Sequence, residues 1–475
     1  MTATAAIPEP WPHQRDAIDW VRARRASYLH LTMGAGKSRC IVSAADETHA
    51  MTVLIVSPKS VVASVWPNQF STWSERPWRV APATKLGRSV KARVGGMKKQ
   101  YERARYDRAP FVAVINYQML LSREAAAWLR TVAFDLVVFD EAQKLKSPQG
   151  KTSKAAARLT QTAGRVVMLS GTPMPHSPMD VFAQFRTLDP TVFGRSFVAF
   201  RARYAKMGGY KAKQIIGFQR QDEMTERMSG LMHSPPDEVV QLNLPEARHE
   251  TITVDLDSKA RRLYDSLANE LHAAIAEGAI NVQNGLVRLL RMQQLCSGLA
   301  VVEGNEASGT DEASLLANLH GADDREEVEV CTAKRGALVD ILESTDEPIV
   351  VFGQFRHDIR VAREAAQLAG ATIAELSGEQ NELEMWRSGG ARVLVVQIAS
   401  GAEGIDLTRA RICVYLSTGF NLGQYLQSLA RVHRPGQSRP VTYYHVHARQ
   451  TIDEVVYRVL GKREEIVKAV LDQVR

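Results

Sequence analysis

Cysteine is scarce in this chain. Cys40, Cys296, Cys331 and Cys413 lie far apart among 475 residues and show no paired spacing. That supports neither a disulfide framework nor a zinc site, so the four read as packing residues of a reducing compartment. Long apolar runs are missing too. No stretch approaches the roughly 20 residues of a membrane span, and the start, Met1-Thr2-Ala3-Thr4, has no basic segment followed by an apolar core. A cytoplasmic protein with no membrane partner is expected. Nor does either sign of charge dominate: Lys and Arg number 60 against 52 Asp and Glu, a net +8, which permits a polyanionic partner without demanding one. Hydrophobic residues make up an ordinary 45%, and the length suits about two or three domains.

What is present is organised around Thr32-Met33-Gly34-Ala35-Gly36-Lys37-Ser38, between the apolar run Tyr28 to Leu31 and the helical start Arg39-Cys40-Ile41-Val42. Strand, glycine loop and helix are the parts of a phosphate cradle: glycines let several backbone N–H groups face one oxyanion, and the helix start adds partial positive charge. Lys37 would reach the outer phosphates and Ser38 would hold magnesium. The usual pattern has a glycine where Leu31 stands, so a glycine turn at an ordinary strand–helix joint is the bland alternative. Upstream, Gln14 precedes the helical pattern Ala17-Ile18-Trp20-Val21; a glutamine amide can pair with N6 and N7 of adenine, and otherwise reads as a surface residue.

Downstream, Met51 to Val56 ends at Ser57-Pro58-Lys59, and Phe111 to Ile115 ends at Asn116-Tyr117. Both have strand length and β-branched content, and helical stretches between them predict a parallel sheet with its site at the strand C-terminal ends. Phe134 to Phe139 then delivers Asp140-Glu141 to a loop. Adjacent carboxylates at the end of an apolar strand are costly unless they bind something. Asp140 can hold magnesium and Glu141 can orient and deprotonate an attacking water. Val166 to Leu169 is a further strand, ending in Ser170-Gly171-Thr172-Pro173.

Charge runs add organisation. Lys85 to Arg108 holds nine basic residues against Glu102 and Asp107, either a nucleic-acid-facing surface or a solvated helix face. Thr191 to about His233 reads as helical and basic, with Phe193, Phe197, Phe200 and Tyr204 at helical spacing and assigned to core. A second helical block surrounds Tyr264 to Leu299, and residues 302–329 carry nine acidic residues against Arg325, which predicts a flexible linker or long loop. A second alternating domain has strands at Pro348 to Phe352, Arg392 to Gln397, Arg411 to Leu416 and Val441 to Val446. Its loops carry Gly404 and Asp406, and a helix is expected to carry Arg431 and Arg434 three positions apart on one face. Such a pair can serve as arginine fingers or as an anion-free surface pair.

In order and detail these residues resemble the helicase-like superfamily 2 ATPases, and within them the Swi/Snf-type DNA translocases, over nearly the whole chain. Met33 to Ser38 is similar to that family's Met-Gly-Leu-Gly-Lys-Thr loop, Asp140 to Lys146 to its Asp-Glu-Ala-His box, and Leu169 to Met174 to its third motif. Leu286 to Cys296 resembles the helix that introduces its second lobe, and Arg431-Val432-His433-Arg434-Pro435-Gly436-Gln437 its sixth motif. Gln143 replaces a histidine, Leu31-Thr32 an acidic pair, and Asp406 a common asparagine; these departures bear on coupling and regulation more than on hydrolysis.

The resemblance implies an α/β fold of two RecA-like parallel-sheet lobes with helical insertions. Lobe 1 is expected over 1–190, helical connectors over 191–300, an acidic linker over 301–330 and lobe 2 over 331–475. It implies ATP between the lobes: Gln14 on adenine, Gly34, Ala35, Gly36 and Lys37 on phosphate, Ser38 and Asp140 on Mg2+, and Glu141 as base. Arg431 and Arg434 would reach across, and Gly404 and Asp406 would line the nucleotide. The loops Ser57-Pro58-Lys59, Asn116-Tyr117 and Ser170-Gly171-Thr172 would track a nucleic-acid backbone. The partner implied is double-stranded DNA; single-stranded DNA or RNA belongs to the alternative of a strand-separating helicase. A nucleotide-gated binding module with weak hydrolysis is the third reading, disfavoured by the full set Lys37, Asp140, Glu141, Arg431 and Arg434. The sequence ends soon after the sixth motif, which fits a small prokaryotic or viral motor rather than a chromatin-specific one.

Overall fold

The computed structural model describes residues 7–63, 65–209, 214–236, 244–276, 282–303, 325–398 and 405–472. The chain divides into two compact units. The first comprises Met1–Leu242 with Arg463–Arg475, the second Asn243–Lys462. The division at 242 falls inside the stretch expected to be a helical connector.

In the first unit, strands β1 (Ala26–His30), β2 (Thr52–Ser57), β3 (Arg79–Pro82), β4 (Phe111–Asn116), β5 (Leu136–Asp140) and β6 (Arg165–Ser170) form a sheet. After the antiparallel hairpin β7 (Ala205–Gly208) and β8 (Gln214–Phe218), the short strand β9 (Met232–His233) completes it. The order is β3-β4-β2-β5-β6-β1-β9, and every pairing is parallel. The sequence explains why. Alternate side chains of a strand point to opposite faces, and here both faces are covered. Leu54 and Val56 join one core with Ala113, Ile115, Val137 and Phe139. Val53 and Ile55 join the other with Val112, Val114, Leu136 and Val138. All of these are at most 1% exposed, and each large one contributes about 1.5–3 kcal/mol by leaving water. Helices Pro12–Ala23, Lys37–Glu47 and Val65–Trp73 cover the second core through Ile18, Ile41 and Trp66.

The aromatics assigned to core do pack there. Phe193 meets Phe185, Phe200 meets Phe182, and Tyr204 meets both Phe193 and Phe200, with ring centroids 4.9–5.8 Å apart. Among the described residues of 191–233, however, only Phe197–Tyr204 and Gln221–Ser229 are helical, and the hairpin lies between. The helix Val90–Tyr106 buries Val94, Met97 and Ala104 and leaves Lys91, Lys98, Lys99, Arg103 and Arg105 exposed.

The second unit holds β10 (Ala247–Val254), β11 (Leu299–Glu303), β12 (Arg325–Glu329), β13 (Ile349–Gly353), β14 (Ile373–Leu376), β15 (Val393–Gln397), β16 (Ile412–Tyr415) and β17 (Val441–Ala448). Six of them make a parallel sheet, β10-β17-β16-β13-β15-β14. Ile349, Val351, Val393, Val395, Ile412 and Val414 form its aliphatic core, while Phe352 stacks on Tyr415 at 4.8 Å. The acidic stretch needs correction at both ends: β11 and β12 pair antiparallel, from Leu299 opposite Glu329 to Glu303 opposite Arg325. The α/β architecture with two parallel sheets is the one expected of two RecA-like lobes.

Candidate active site

In a parallel sheet the loops that follow the strands gather at one edge, and ligands bind where neighbouring connections diverge. Here β6 lies between β1 and β5, so the glycine loop, the acidic pair and the third motif leave the first sheet as neighbours.

The glycine loop is shaped by two left-handed residues, Gly34 (φ 85°) and Gly36 (φ 83°), a conformation that strains residues carrying a Cβ. A Cβ on Gly36 would also sit 2.3 Å from Gln14 Nε2. Gln14 is buried, and its amide is tied to the loop: Nε2 donates to the Ala35 carbonyl (3.1 Å), and Oε1 accepts from Trp11 N–H (3.1 Å). His13 Nε2 lies 3.0 Å from the same Ala35 oxygen. Gln14 is thus a partner of the phosphate loop as well as a candidate for adenine. Lys37 opens the helix Lys37–Glu47, and its Nζ donates back to the carbonyls of Leu31 (2.8 Å) and Thr32 (3.1 Å). Ser38 follows, half-buried in the first turn. Thr32 Oγ1 is buried with no hydrogen-bond partner among the described residues.

Asp140 is the last residue of β5, and Glu141 turns the chain with φ 54°. Burial raises the Asp140 carboxyl well above the usual carboxylate range. The negative charge of Glu141 adds to that effect, while the Trp66 hydrogen bond and the Lys37 charge oppose it. Trp66 Nε1 donates to Asp140 Oδ2 at 3.0 Å, and Tyr117 Oη donates to the Asp140 carbonyl at 2.7 Å. Hard oxygen donors and a nearby cation fit magnesium bound with the outer phosphates of a nucleotide.

Gln143, where the resembling family has histidine, joins two motifs. Its Nε2 donates to Glu141 Oε2 (2.6 Å), and its Oε1 accepts from Ser170 Oγ (2.7 Å), which in turn accepts from Thr172 N–H (3.0 Å). An amide has a donor at one end and an acceptor at the other, so Gln143 fills this place without titrating.

The three loops expected to track nucleic acid are only partly open to solvent. Lys59 is exposed, but Ser57 and Pro58 are buried. Asn116 is buried and caps its own turn by accepting from Met119 N–H (3.2 Å); Tyr117 is turned inward onto Asp140. Ser170 and Thr172 are buried, and Gly171 is half-buried.

In the second unit Gly404 lies outside the described residues. Asp406 accepts from Thr408 through N–H (2.9 Å) and Oγ1 (2.7 Å), and pairs with Arg434 Nε at 3.8 Å. Arg434 Nη1 donates to the Ile405 carbonyl at 3.1 Å. One expectation fails here: Arg431 is on the helix Leu422–Val432, but Arg434 lies beyond its end. Pro435 disfavours helical backbone in the residue before it, and Gly436 turns away with φ 104°. The two arginines share a motif, not a helix face. Elsewhere, a cavity of about 840 Å³ opens at the opposite edge of the first sheet, lined by Arg24, Arg25, Ala26, Arg158 and Arg186, and includes none of these site residues.

Comparison with known proteins gives two successive matches, the first of which runs past the division at residue 242. The SNF2-related domain is matched over residues 13–299 and the helicase conserved C-terminal domain over residues 333–436. The chain belongs to the SNF2-related family. This SNF2-related protein is a helicase-like ATPase, and its phosphate loop, acidic pair and third motif all fall within the first match. It is 26% identical to putative protein p41 of Acyrthosiphon pisum secondary endosymbiont phage 1, covering 98% of each chain. It is 22% identical to an uncharacterized ATP-dependent helicase of Mycoplasma genitalium, covering 97% of this chain and 42% of that one. The DNA repair and recombination protein RAD54B of Mus musculus is also 22% identical, over 98% and 56%. The chain therefore spans nearly all of the phage protein and about half of the other two. A solved structure, the Sulfolobus solfataricus SWI2/SNF2 ATPase core in complex with dsDNA, is similar at 19% identity and a TM-score of 0.41, covering 98% of this chain and 95% of that one.

Trp66 and the inward turn of Tyr117 were not legible as site features. An indole on an amphipathic helix reads as core, Tyr117 reads as part of a nucleic-acid-tracking loop, and no spacing signals that either will meet Asp140.

Proposed function

We propose that this SNF2-related ATPase hydrolyses ATP to move along double-stranded DNA without separating its strands. The observation that carries this reading is the hydrogen-bonded relay from Thr172 and Ser170 through Gln143 to Glu141, which ties a candidate nucleic-acid loop to the candidate base. Lys37 binds the outer phosphates of ATP, and Gln14 takes the adenine while bracing the loop at Ala35. Glu141 orients a water and takes its proton as the water attacks the terminal phosphoryl group. Ser38 and Asp140 would hold Mg2+, which when bound offsets the negative charge of the phosphates. Arg431 and Arg434 supply positive charge to the transferring group, and Asp406, paired with Arg434, orients that guanidinium.

Duplex DNA is favoured because the sixth motif ends in His433-Arg434-Pro435-Gly436-Gln437, in the manner of the translocating members the sequence resembles. The basic face of Val90–Tyr106 offers charge that meets phosphates rather than bases. The test is the rate of ATP hydrolysis without nucleic acid and with duplex DNA, single-stranded DNA or RNA. Stimulation by the duplex is expected; stimulation by RNA and not by duplex would move the reading to a strand-separating helicase.

A further inference from the structure

We propose that Trp66 is a positioning residue that links the Ser57-Pro58-Lys59 loop to Asp140, so that nucleic acid held at that loop adjusts the carboxylate that binds the metal. The inference rests on the functional reading above and concerns how its two halves communicate.

The path is short and wholly within the first unit. Pro58 immediately precedes the short helix Lys59–Val62, and the helix Val65–Trp73 follows, with Trp66 in its first turn. Lys59 is exposed at the start of this path, while Trp66, at its end, is 0% exposed. The ring is held by the same core that carries the phosphate-loop helix, including Cys40 and Ile41, and lies 6.4 Å from Phe70. Its one polar atom donates to Asp140 Oδ2 at 3.0 Å. A buried indole N–H needs an acceptor, and a backbone carbonyl would serve. Here the acceptor is the carboxylate assigned to the metal, so a displacement of the helix start reaches the reacting centre through a single hydrogen bond.

A second loop arrives at the same residue. Tyr117 follows β4 and Asn116, and its Oη donates to the Asp140 carbonyl at 2.7 Å. One candidate nucleic-acid loop therefore fixes the Asp140 backbone directly through Tyr117, and the helix that follows a second loop fixes its side chain through Trp66. Packing alone would explain a buried tryptophan, but it does not explain why the N–H meets a carboxylate at a strand end.

Two replacements separate the hydrogen bond from the bulk of the ring: Trp66→Phe, and substitution of Trp66 by benzothienylalanine, which keeps the bicyclic shape and has no N–H. Two readouts are needed. One is ATPase rate with and without saturating duplex DNA. The other is the Mg2+ concentration that half-saturates binding of a fluorescent non-hydrolysable ATP analogue, again with and without duplex. In the wild-type protein duplex should raise the rate and lower the Mg2+ requirement. In both variants the fold stimulation should drop at least fivefold and the duplex-induced Mg2+ shift should vanish, with duplex affinity within twofold of wild type. Variants that keep wild-type stimulation, or that lose basal and stimulated rates by the same factor, overturn the coupling. A wild-type protein that duplex does not stimulate overturns the functional reading itself, a result distinguishable because the variants are then not needed to see it.

Discussion

Lys37 and Gln143 show two ways a single side chain serves this site. Lys37 spans the loop through the Leu31 and Thr32 carbonyls, which holds its ammonium at the glycine loop. Lys37→Ala should nearly abolish turnover, because charge aimed at a transferring phosphoryl group contributes far more than an ordinary contact. A steady-state rate within about threefold of wild type would contradict that. Gln143 bonds Glu141 and Ser170 and is expected to act through Glu141. Gln143→Leu should lower kcat by about 10- to 100-fold, the scale of a misplaced general base, and leave KM for ATP near wild type. Gln143→His should recover most of the loss, since a histidine can also donate at one nitrogen and accept at the other. If Leu and His variants behave alike, the relay does not position the base. The motif was readable from sequence because phosphate chemistry demands fixed residue types at fixed spacing. The relay was not, because Gln143 and Ser170 are 27 residues apart and meet only across neighbouring strands.

At the scale of elements, central strands announced themselves and edge strands did not. Val53 to Val56 and Val350 to Phe352 are apolar on both faces because helices cover both. By contrast β3, β10 and β14 lie at sheet edges; β10 exposes the run Arg248-His249-Glu250-Thr251, the polar character expected of an edge. Beside β10, strand β17 contributes a buried histidine whose cost is measurable. His445 contacts Tyr415, Tyr425, Tyr457, His249 and His447, and burial lowers its pKa from 6.5 to about 3. The unfolded chain therefore takes up a proton near its ordinary pKa while the folded protein does not. Stability is complete above about pH 6.5 and falls between there and pH 3. Between pH 6.5 and 5 the loss from this residue should approach about 2 kcal/mol. Denaturant melts across that range should show the decline, and His445→Gln should flatten it; an unchanged pH slope in the variant would place the titration elsewhere.

For the whole molecule, the functional reading becomes a question of what moves and what stays paired. The net charge of +8 and the exposed basic face of Val90–Tyr106 offer phosphate contacts, which carry little sequence information and weaken with salt at a slope of roughly −0.9 per phosphate neutralised on duplex DNA. Affinity for unrelated duplexes should thus be similar at one ionic strength and fall together as salt rises. Motion needs hydrolysis as well: Arg431→Ala and Arg434→Ala should each depress turnover while the first unit still binds an ATP analogue, because finger residues act mainly on transition-state charge. Translocation and unwinding can then be separated with two substrates under ATP. Displacing a triplex-forming third strand requires only passage along the duplex; releasing a fully paired strand from a fork requires that base pairs be broken. Triplex displacement without strand release is the expected outcome, and it should disappear in Arg431→Ala and Arg434→Ala if it is driven by turnover. Robust release of the paired strand would instead make this protein a strand-separating helicase.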